Sequence, residues 1–137
     1  VVGMGNRALR EGGGKRAVAL PVRAAFHRQL MKPAGEHLAE VMAGMIISTP
    51  EIPVVHNVNA TVEPGPEKIR TLLVEQIYSP VQWTACMRRV IEAGAQHIVE
   101  CGPGKVLSGL SRRIEKTLHC YSLEEPEALL TTAAELK

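Results

Sequence analysis

The chain has 137 residues, of which 45% are hydrophobic and 22% charged, with sixteen Lys and Arg against fourteen Asp and Glu. That length corresponds to about one domain, and the apolar share is enough for a packed core, which excludes global disorder. The longest apolar stretch, Val41 to Ile47 read through Gly44, falls far short of the ~18 residues of a membrane span. A net charge of +2 with 3% aromatics gives neither the basic stripe nor the stacking residues of a nucleic-acid binder.

The opening segment is basic, with Arg7, Arg10, Lys15 and Arg16 around the single acid Glu11. It weakly resembles a transit peptide, but Gly12-Gly13-Gly14 would break the amphipathic helix such a peptide needs. The simpler expectation is that the sequence starts in mid-protein. Residues 7–11 read as a helix tail closed by the glycines. Ala17 to Val22 reads as a short strand that Pro21 ends or confines to an edge.

From Leu30 to Ile47 a helix is predicted, because Leu30, Ala34, Leu38, Val41, Met42, Met45 and Ile46 recur at spacings of three and four. Pro50 and Pro53 should stop it. Val54-Val55-His56-Asn57-Val58 reads as a second strand, followed by the Pro64-Gly65-Pro66 loop. Two helices come next, one with Ile69, Leu72, Leu73 and Ile77 on a face, the other with Trp83, Met87, Val90 and Ile91, capped by Gly94. His97 to Cys101 is a predicted strand, Gly102-Pro103-Gly104 a sharp turn, and Val106 or Leu107, Leu110, Ile114 and Leu118 mark a further helix. A strand near His119–Leu123 and a helix carrying Leu129, Ala133 and Leu136 finish the chain. Helices alternating with strands imply an α/β layout with parallel strands.

Five histidines and three cysteines bound the chemistry. His27 lies past a strand end and ahead of a long helix, where an α/β sheet opens onto its ligand crevice. An imidazole there is either a general base, titrating as it does near neutral pH, or a surface histidine at a helix start. His37 falls on the polar face of a helix, His56 and His97 within strand patterns, and His119 near a strand start. No pair has the HExxH spacing, so no metal site is expected. Cys86, Cys101 and Cys120 are odd in number and lack CxxC spacing, which fits a reduced, cytoplasmic setting. Cys101 at a strand end is either a thiol nucleophile or a buried structural residue. Gly102-Pro103-Gly104-Lys105 matches neither GxxxxGK[ST] nor GxGxxG. Lys105 could still meet a phosphate at a helix N-terminus, the alternative being a plain tight turn. Gly109-Leu110-Ser111-Arg112-Arg113 ends in Arg and lies in a helical pattern, so Ser111 is no nucleophile elbow.

Four segments in order carry a family resemblance. They are Leu20-Pro21-Val22 with Phe26-His27 and Leu30-Met31-Lys32-Pro33-Ala34; Val54-Val55 with Asn57-Val58; Gln76-Ile77-Tyr78-Ser79-Pro80-Val81-Gln82-Trp83; and Glu100-Cys101-Gly102-Pro103-Gly104-Lys105-Val106-Leu107. Together they resemble malonyl-CoA:acyl carrier protein transacylase over nearly all of residues 17–137. The resemblance implies residues 1–20 as the end of a small ferredoxin-like subdomain and 21–137 as the C-terminal part of a hydrolase-like large α/β subdomain. It makes His27 the acid/base of a ping-pong Ser/His transfer of malonyl from malonyl-CoA to the phosphopantetheine thiol of acyl carrier protein, in fatty acid biosynthesis. Gln76 would orient the imidazole through its main-chain carbonyl, with Phe26 and Asn57 in the substrate pocket. Phe26 in particular resembles the residue that accompanies malonyl over methylmalonyl, although Ala24 and Ala25 match that pattern only by half. Exchange of one thioester for another needs no cofactor or metal, malonyl-CoA being substrate. The implied partners are acyl carrier protein and malonyl-CoA, with no nucleic acid and no membrane, in a full-length monomer. The family's GxSxG serine, its malonate-binding arginine and its oxyanion segment have no counterpart in this sequence. The chain alone is therefore expected to be inactive and to expose apolar faces. The alternatives are a non-catalytic module that binds CoA or acyl carrier protein, and an acyltransferase piece of a polyketide synthase.

Overall fold

The computed structural model describes Glu11 and residues 26–136. The expected helix tail at 7–11 (Glu11 apart), the strand at 17–22 and the 1–20 subdomain lie outside the described residues. A 3-10 turn at Gln29–Met31 leads into α1, Lys32–Ala43. Then follow α2, Pro66–Glu75; α3, Trp83–Glu92; β1, His97–Glu100; α4, Val106–Ile114; β2, His119–Ser122; and α5, Pro126–Glu135. The expected α/β layout is present. β1 and β2 pair in parallel with His97 opposite His119 and Glu100 opposite Ser122, and α4 crosses between them and packs on both.

Each start and stop has a local cause. Proline stands in the first turn of α1, α2 and α5, where its missing N–H costs nothing and its fixed φ suits the helix. Glu67 and Glu127 add negative charge to the first turns of α2 and α5, complementing the helix dipole. Gly94, at φ +96°, closes α3: its N–H reaches the Ile91 carbonyl at 2.9 Å and that of Ala95 reaches Val90 at 3.3 Å. This is the double bond of a glycine-terminated helix end, open only to a residue at ease with positive φ.

The predicted helix from Leu30 to Ile47 is shorter than expected. It ends at Gly44, ahead of the β-branched Ile46-Ile47 and well before Pro50, because glycine followed by stiff side chains gives little helical drive. Of its stripe, Met42 is buried, but Leu30 is 81% exposed and Ile46 96%. The strand expected at Val54–Val58 reduces to a single antiparallel bridge between Val55 and Val62. The chain turns back after His56: Ala60 N–H bonds the His56 carbonyl at 2.9 Å, and Ala60 takes φ +57°.

Among the described residues, the buried apolar side chains are Met42, Ile69, Leu72, Cys86, Met87 and Leu118. Two serines join them. Ser111 is fully buried, its hydroxyl donating to the Leu107 carbonyl at 2.8 Å and lying 3.8 Å from Met87 Sδ. Ser108 packs beside Glu100. Small side chains on this face of α4 admit the methionine of α3, whereas Val106 and Leu107, expected to point inward, are exposed. In α5, likewise, Thr132 is the buried residue, while Leu129 and Leu136 are exposed.

The turn after β1 is held by Glu100. Its carboxylate accepts from Leu107 N at 3.0 Å, from Ser108 N at 2.8 Å and from the Ser108 hydroxyl at 2.8 Å. The orphan donors of the first turn of α4 are thus satisfied from within the chain. Gly102 and Gly104, at φ +134° and +91°, let the backbone reverse sharply enough to aim that helix end at the carboxylate. The Ser108 N–H above all, then its hydroxyl and the Leu107 and Val106 N–H groups, hold the Glu100 carboxyl below its ordinary range against the opposing effect of desolvation.

Leu72, 2% exposed, fills the centre of the core. Leu72→Ala should lower unfolding stability by about 2–5 kcal/mol, read as a fall in the urea midpoint at unchanged slope. Glu100 gives a pH signature. With a folded pKa below the unfolded one, its contribution is complete above the ordinary carboxylate range and is lost as pH falls through the folded value. Glu100→Gln should therefore lower stability at neutral pH and flatten its decline on acidification. Parallel stability curves for the two proteins between pH 7 and pH 3 would count against this role.

Candidate functional site

His27 is placed by the backbone before it is placed by any contact. It stands just ahead of the 3-10 turn at φ +56°, a left-handed conformation that few non-glycine residues hold and that costs about 1–3 kcal/mol. The strain is compensated by a hydrogen bond: Nδ1 lies 2.7 Å from the main-chain oxygen of Gln76, 49 residues away. A carbonyl oxygen only accepts, so Nδ1 carries the proton and donates, and Nε2 keeps its lone pair. Gln76 is the C-cap of α2, so its carbonyl sits at the negative end of the helix dipole. The ring thus donates to an acceptor suited to positive charge forming on it.

Around this contact lies an apolar groove of about 500 Å³, lined by Phe26, His27, Met31, Ala34, His37, Leu38, Val41 and Ile77. Its polar members are the two histidines. His37, on the outer face of α1 as expected, stands 3.6 Å from Glu40 with both side chains exposed. Phe26 is 61% exposed at the mouth. A larger groove of about 780 Å³ between the Val55–Val62 bridge and the end of α3 offers only Arg89 and Glu92 as charged groups. Its carboxylate, Glu92, has no orienting hydrogen bond among the described residues, whereas the smaller groove holds His27 seated on a main-chain acceptor, so the smaller groove is the candidate site.

The structure therefore brings Phe26, His27 and Gln76 to one place. Asn57 stands apart from the groove, its carbonyl accepting from Gln82 N at 2.7 Å. Next to it, His56 is buried at 7% exposure with Nε2 lacking a partner among the described residues. The Cys86 thiol donates to the His56 carbonyl at 3.5 Å, and burial pushes its pKa up, which suits a core residue rather than a nucleophile. Cys101 is exposed, not buried. Lys105 precedes a helix end whose N–H groups Glu100 already occupies, which removes the anion site that this end could otherwise form. His97 and His119 begin β1 and β2 with their rings stacked 5.0 Å apart. Among the described residues, no three His, Cys, Asp or Glu side chains form a metal-binding group, and no helix is long and apolar enough to cross a membrane.

Two residues near the site escaped the sequence reading. Gly35 is buried against the Tyr78 ring, so close that a Cβ would lie 2.8 Å from its carbons. Arg70 donates from Nη2 to the Met45 carbonyl at 2.9 Å and from Nη1 to that of Met42. Neither has a local signal, since one is a glycine inside a helical pattern and the other an arginine three residues after a glutamate.

No family model matches the chain. Among individual proteins, it is 46% identical over 122 residues to a malonyl CoA-acyl carrier protein transacylase of Salmonella typhimurium, an alignment covering 89% of this chain and 40% of that one. The solved structure of an acyl carrier protein S-malonyltransferase from Vibrio cholerae superposes with a TM-score of 0.87 at 40% identity, over 96% of this chain and 43% of the other. A type II polyketide synthase acyl carrier protein in complex with its malonyl-transacylase gives 0.86 at 40% identity, over 95% and 42%. The chain spans about two fifths of the length of the curated relatives it matches. Within that span, identity and superposition agree: the chain is homologous to about two fifths of the malonyl CoA-acyl carrier protein transacylases it matches.

Proposed function

We propose that this chain supplies the acid/base histidine of a malonyl transfer from malonyl-CoA to acyl carrier protein. The observation that carries the reading is the 2.7 Å bond between His27 Nδ1 and the Gln76 carbonyl, which fixes the tautomer and leaves Nε2 as the base. A serine contributed by sequence outside this chain attacks the thioester carbonyl while Nε2 takes its proton. The positive ring then faces the carbonyl end of α2. As the tetrahedral intermediate collapses, the ring returns the proton to the departing CoA sulfur, leaving malonyl on the serine as an ester. In the second half-reaction, Nε2 takes a proton from the phosphopantetheine thiol of acyl carrier protein. That sulfur attacks the ester, and the serine oxygen recovers the proton. One thioester is exchanged for another, so the chemistry asks for no cofactor.

The apolar groove beside the ring supports this reading, because a water-poor wall strengthens every interaction that the developing charges make. The partner assignment is supported by the relative solved together with its acyl carrier protein. Phe26 at the groove mouth would crowd an α-methyl on the acyl group, a discrimination of about 1–3 kcal/mol.

In the full-length protein, His27→Ala should reduce kcat for malonyl transfer by about 100- to 10,000-fold in a protein that still folds, with the thermal melt lowered by loss of the bond to Gln76 that offsets the left-handed backbone. Turnover of the variant at the wild-type rate would refute the assignment. Retained binding of acyl carrier protein with no transfer by the wild-type protein would favour a non-catalytic binding module instead.

A further inference from the structure

Helices α1 and α2 pack against each other, and their contacts run in opposite order along the two elements. At one end, His27 ahead of α1 bonds the carbonyl at the C-terminus of α2. Next along, Gly35 lies on the Tyr78 ring, with the Val74 carbonyl 3.5 Å from where its Cβ would be. At the far end, the Arg70 guanidinium of α2 spans the end of α1 and the exit after it, with Nη1 donating to the Met42 carbonyl and Nη2 to that of Met45, two residues past the helix, at 2.9 Å. Its Nε faces Glu67 at 3.5 Å, but that carboxylate is 87% exposed and such a pair contributes little. The work of Arg70 is therefore done at the two carbonyls.

We infer that Arg70 is a positioning residue for His27: its fork fixes the tilt of α1 and thereby the seat of the imidazole against Gln76. This inference rests on reading His27 as the base. The mechanism is leverage. Gly35, pressed on Tyr78, is the pivot. Met42 lies seven residues beyond it, about 10 Å, and the start of α1 at Lys32 lies three residues before it, about 4.5 Å. A 1 Å swing of the far end thus moves the near end by roughly 0.4 Å the other way. The 2.7 Å contact is at the short limit of N–H···O geometry and weakens as it lengthens. His27 has little freedom to follow, because its backbone sits in the narrow left-handed basin. The Met42 carbonyl already accepts from the Met45 N–H at 3.1 Å, so the guanidinium adds a charged donor to it and ties it to Met45 just past the helix end. Only a planar guanidinium reaches both carbonyls at once; an ammonium reaches one.

The test uses the full-length protein with Arg70→Met and Arg70→Lys. His27 is followed by its imidazole nitrogen and Nδ1–H resonances, alongside kcat and KM for malonyl transfer. Arg70→Met should shift the Nδ1–H signal and mix the tautomers. It should lower kcat by about 10- to 100-fold with KM for malonyl-CoA little changed, and Arg70→Lys should recover part of both. A folded Arg70→Met protein with wild-type His27 resonances and wild-type kcat overturns the inference. If the methionine variant fails to fold, the lysine variant decides: wild-type spectrum and kcat together overturn it, and intermediate values uphold it. Failure of the base assignment shows separately, as undiminished turnover in His27→Ala, while the resonances still report whether Arg70 seats the ring.

Discussion

The candidate site depends on one unfilled acceptor at the end of a helix. Any α-helix leaves its last carbonyls without intrahelical donors, and α2 offers one of them, Gln76 O, to a side chain from another part of the chain. Three consequences follow from that contact. The histidine tautomer is fixed, the free nitrogen is directed away from the backbone, and two segments 49 residues apart in sequence are tied together. Without it, the left-handed backbone at His27 would be strain with nothing to offset it.

The same physics recurs with the opposite sign at α4. There the orphan groups are N–H donors, and the acid that meets them is Glu100, the last residue of β1. The resulting closed loop of strand, glycine turn and helix start is self-sufficient, and it leaves no N–H vacancy for an anion. At α2 the helix end is answered by a titratable ring at the mouth of a groove. One helix terminus is consumed in holding the fold, the other in orienting a group that can exchange protons. At the end of α1 the Met42 carbonyl already has a backbone donor, and Arg70 adds a permanently charged fork that joins it to Met45 just past the helix.

The legible parts of the fold were those with local causes. The Gly94 cap and the Gly102-Pro103-Gly104 turn announce themselves through backbone constraints that act within a few residues. The proline starts were not read as such, Pro33 falling inside the expected helix and Pro66 in the expected loop. Burial was read less well. Ser108, Ser111 and Thr132 are inside while Leu129 and Val106 are outside. Periodicity marks which residues share a face, but the packing partner decides which face turns inward, and a methionine facing α4 calls for a small residue opposite it. Val54 to Val58 has strand composition yet makes a single bridge, because a strand needs a neighbour and β-propensity does not supply one. His27 could be suspected from its place before a helix, and Gln76 was reached only through family resemblance, since a main-chain acceptor carries no mark in the side-chain sequence. Arg70 reads as an ordinary i,i+3 partner of Glu67, and nothing local says that its other two nitrogens reach across to α1.

These contacts make the groove and the histidine parts of one assembly. Ala34, Leu38 and Val41 of α1 form one wall of the groove, and Ile77, the neighbour of Gln76, contributes to it from the other side. The relation between α1 and the end of α2 that seats the imidazole therefore also sets the spacing of the walls. A change in helix tilt cannot loosen the ring without also reshaping the apolar surface beside it. The small residue at Gly35 makes that coupling stiff, since a Cβ there would lie 2.8 Å from the Tyr78 ring, just past the end of α2. Close-packed contacts of this kind transmit displacement rather than absorb it. A site built on them holds its geometry as long as both ends of α1 stay fastened, one by a charged fork and one by the histidine itself.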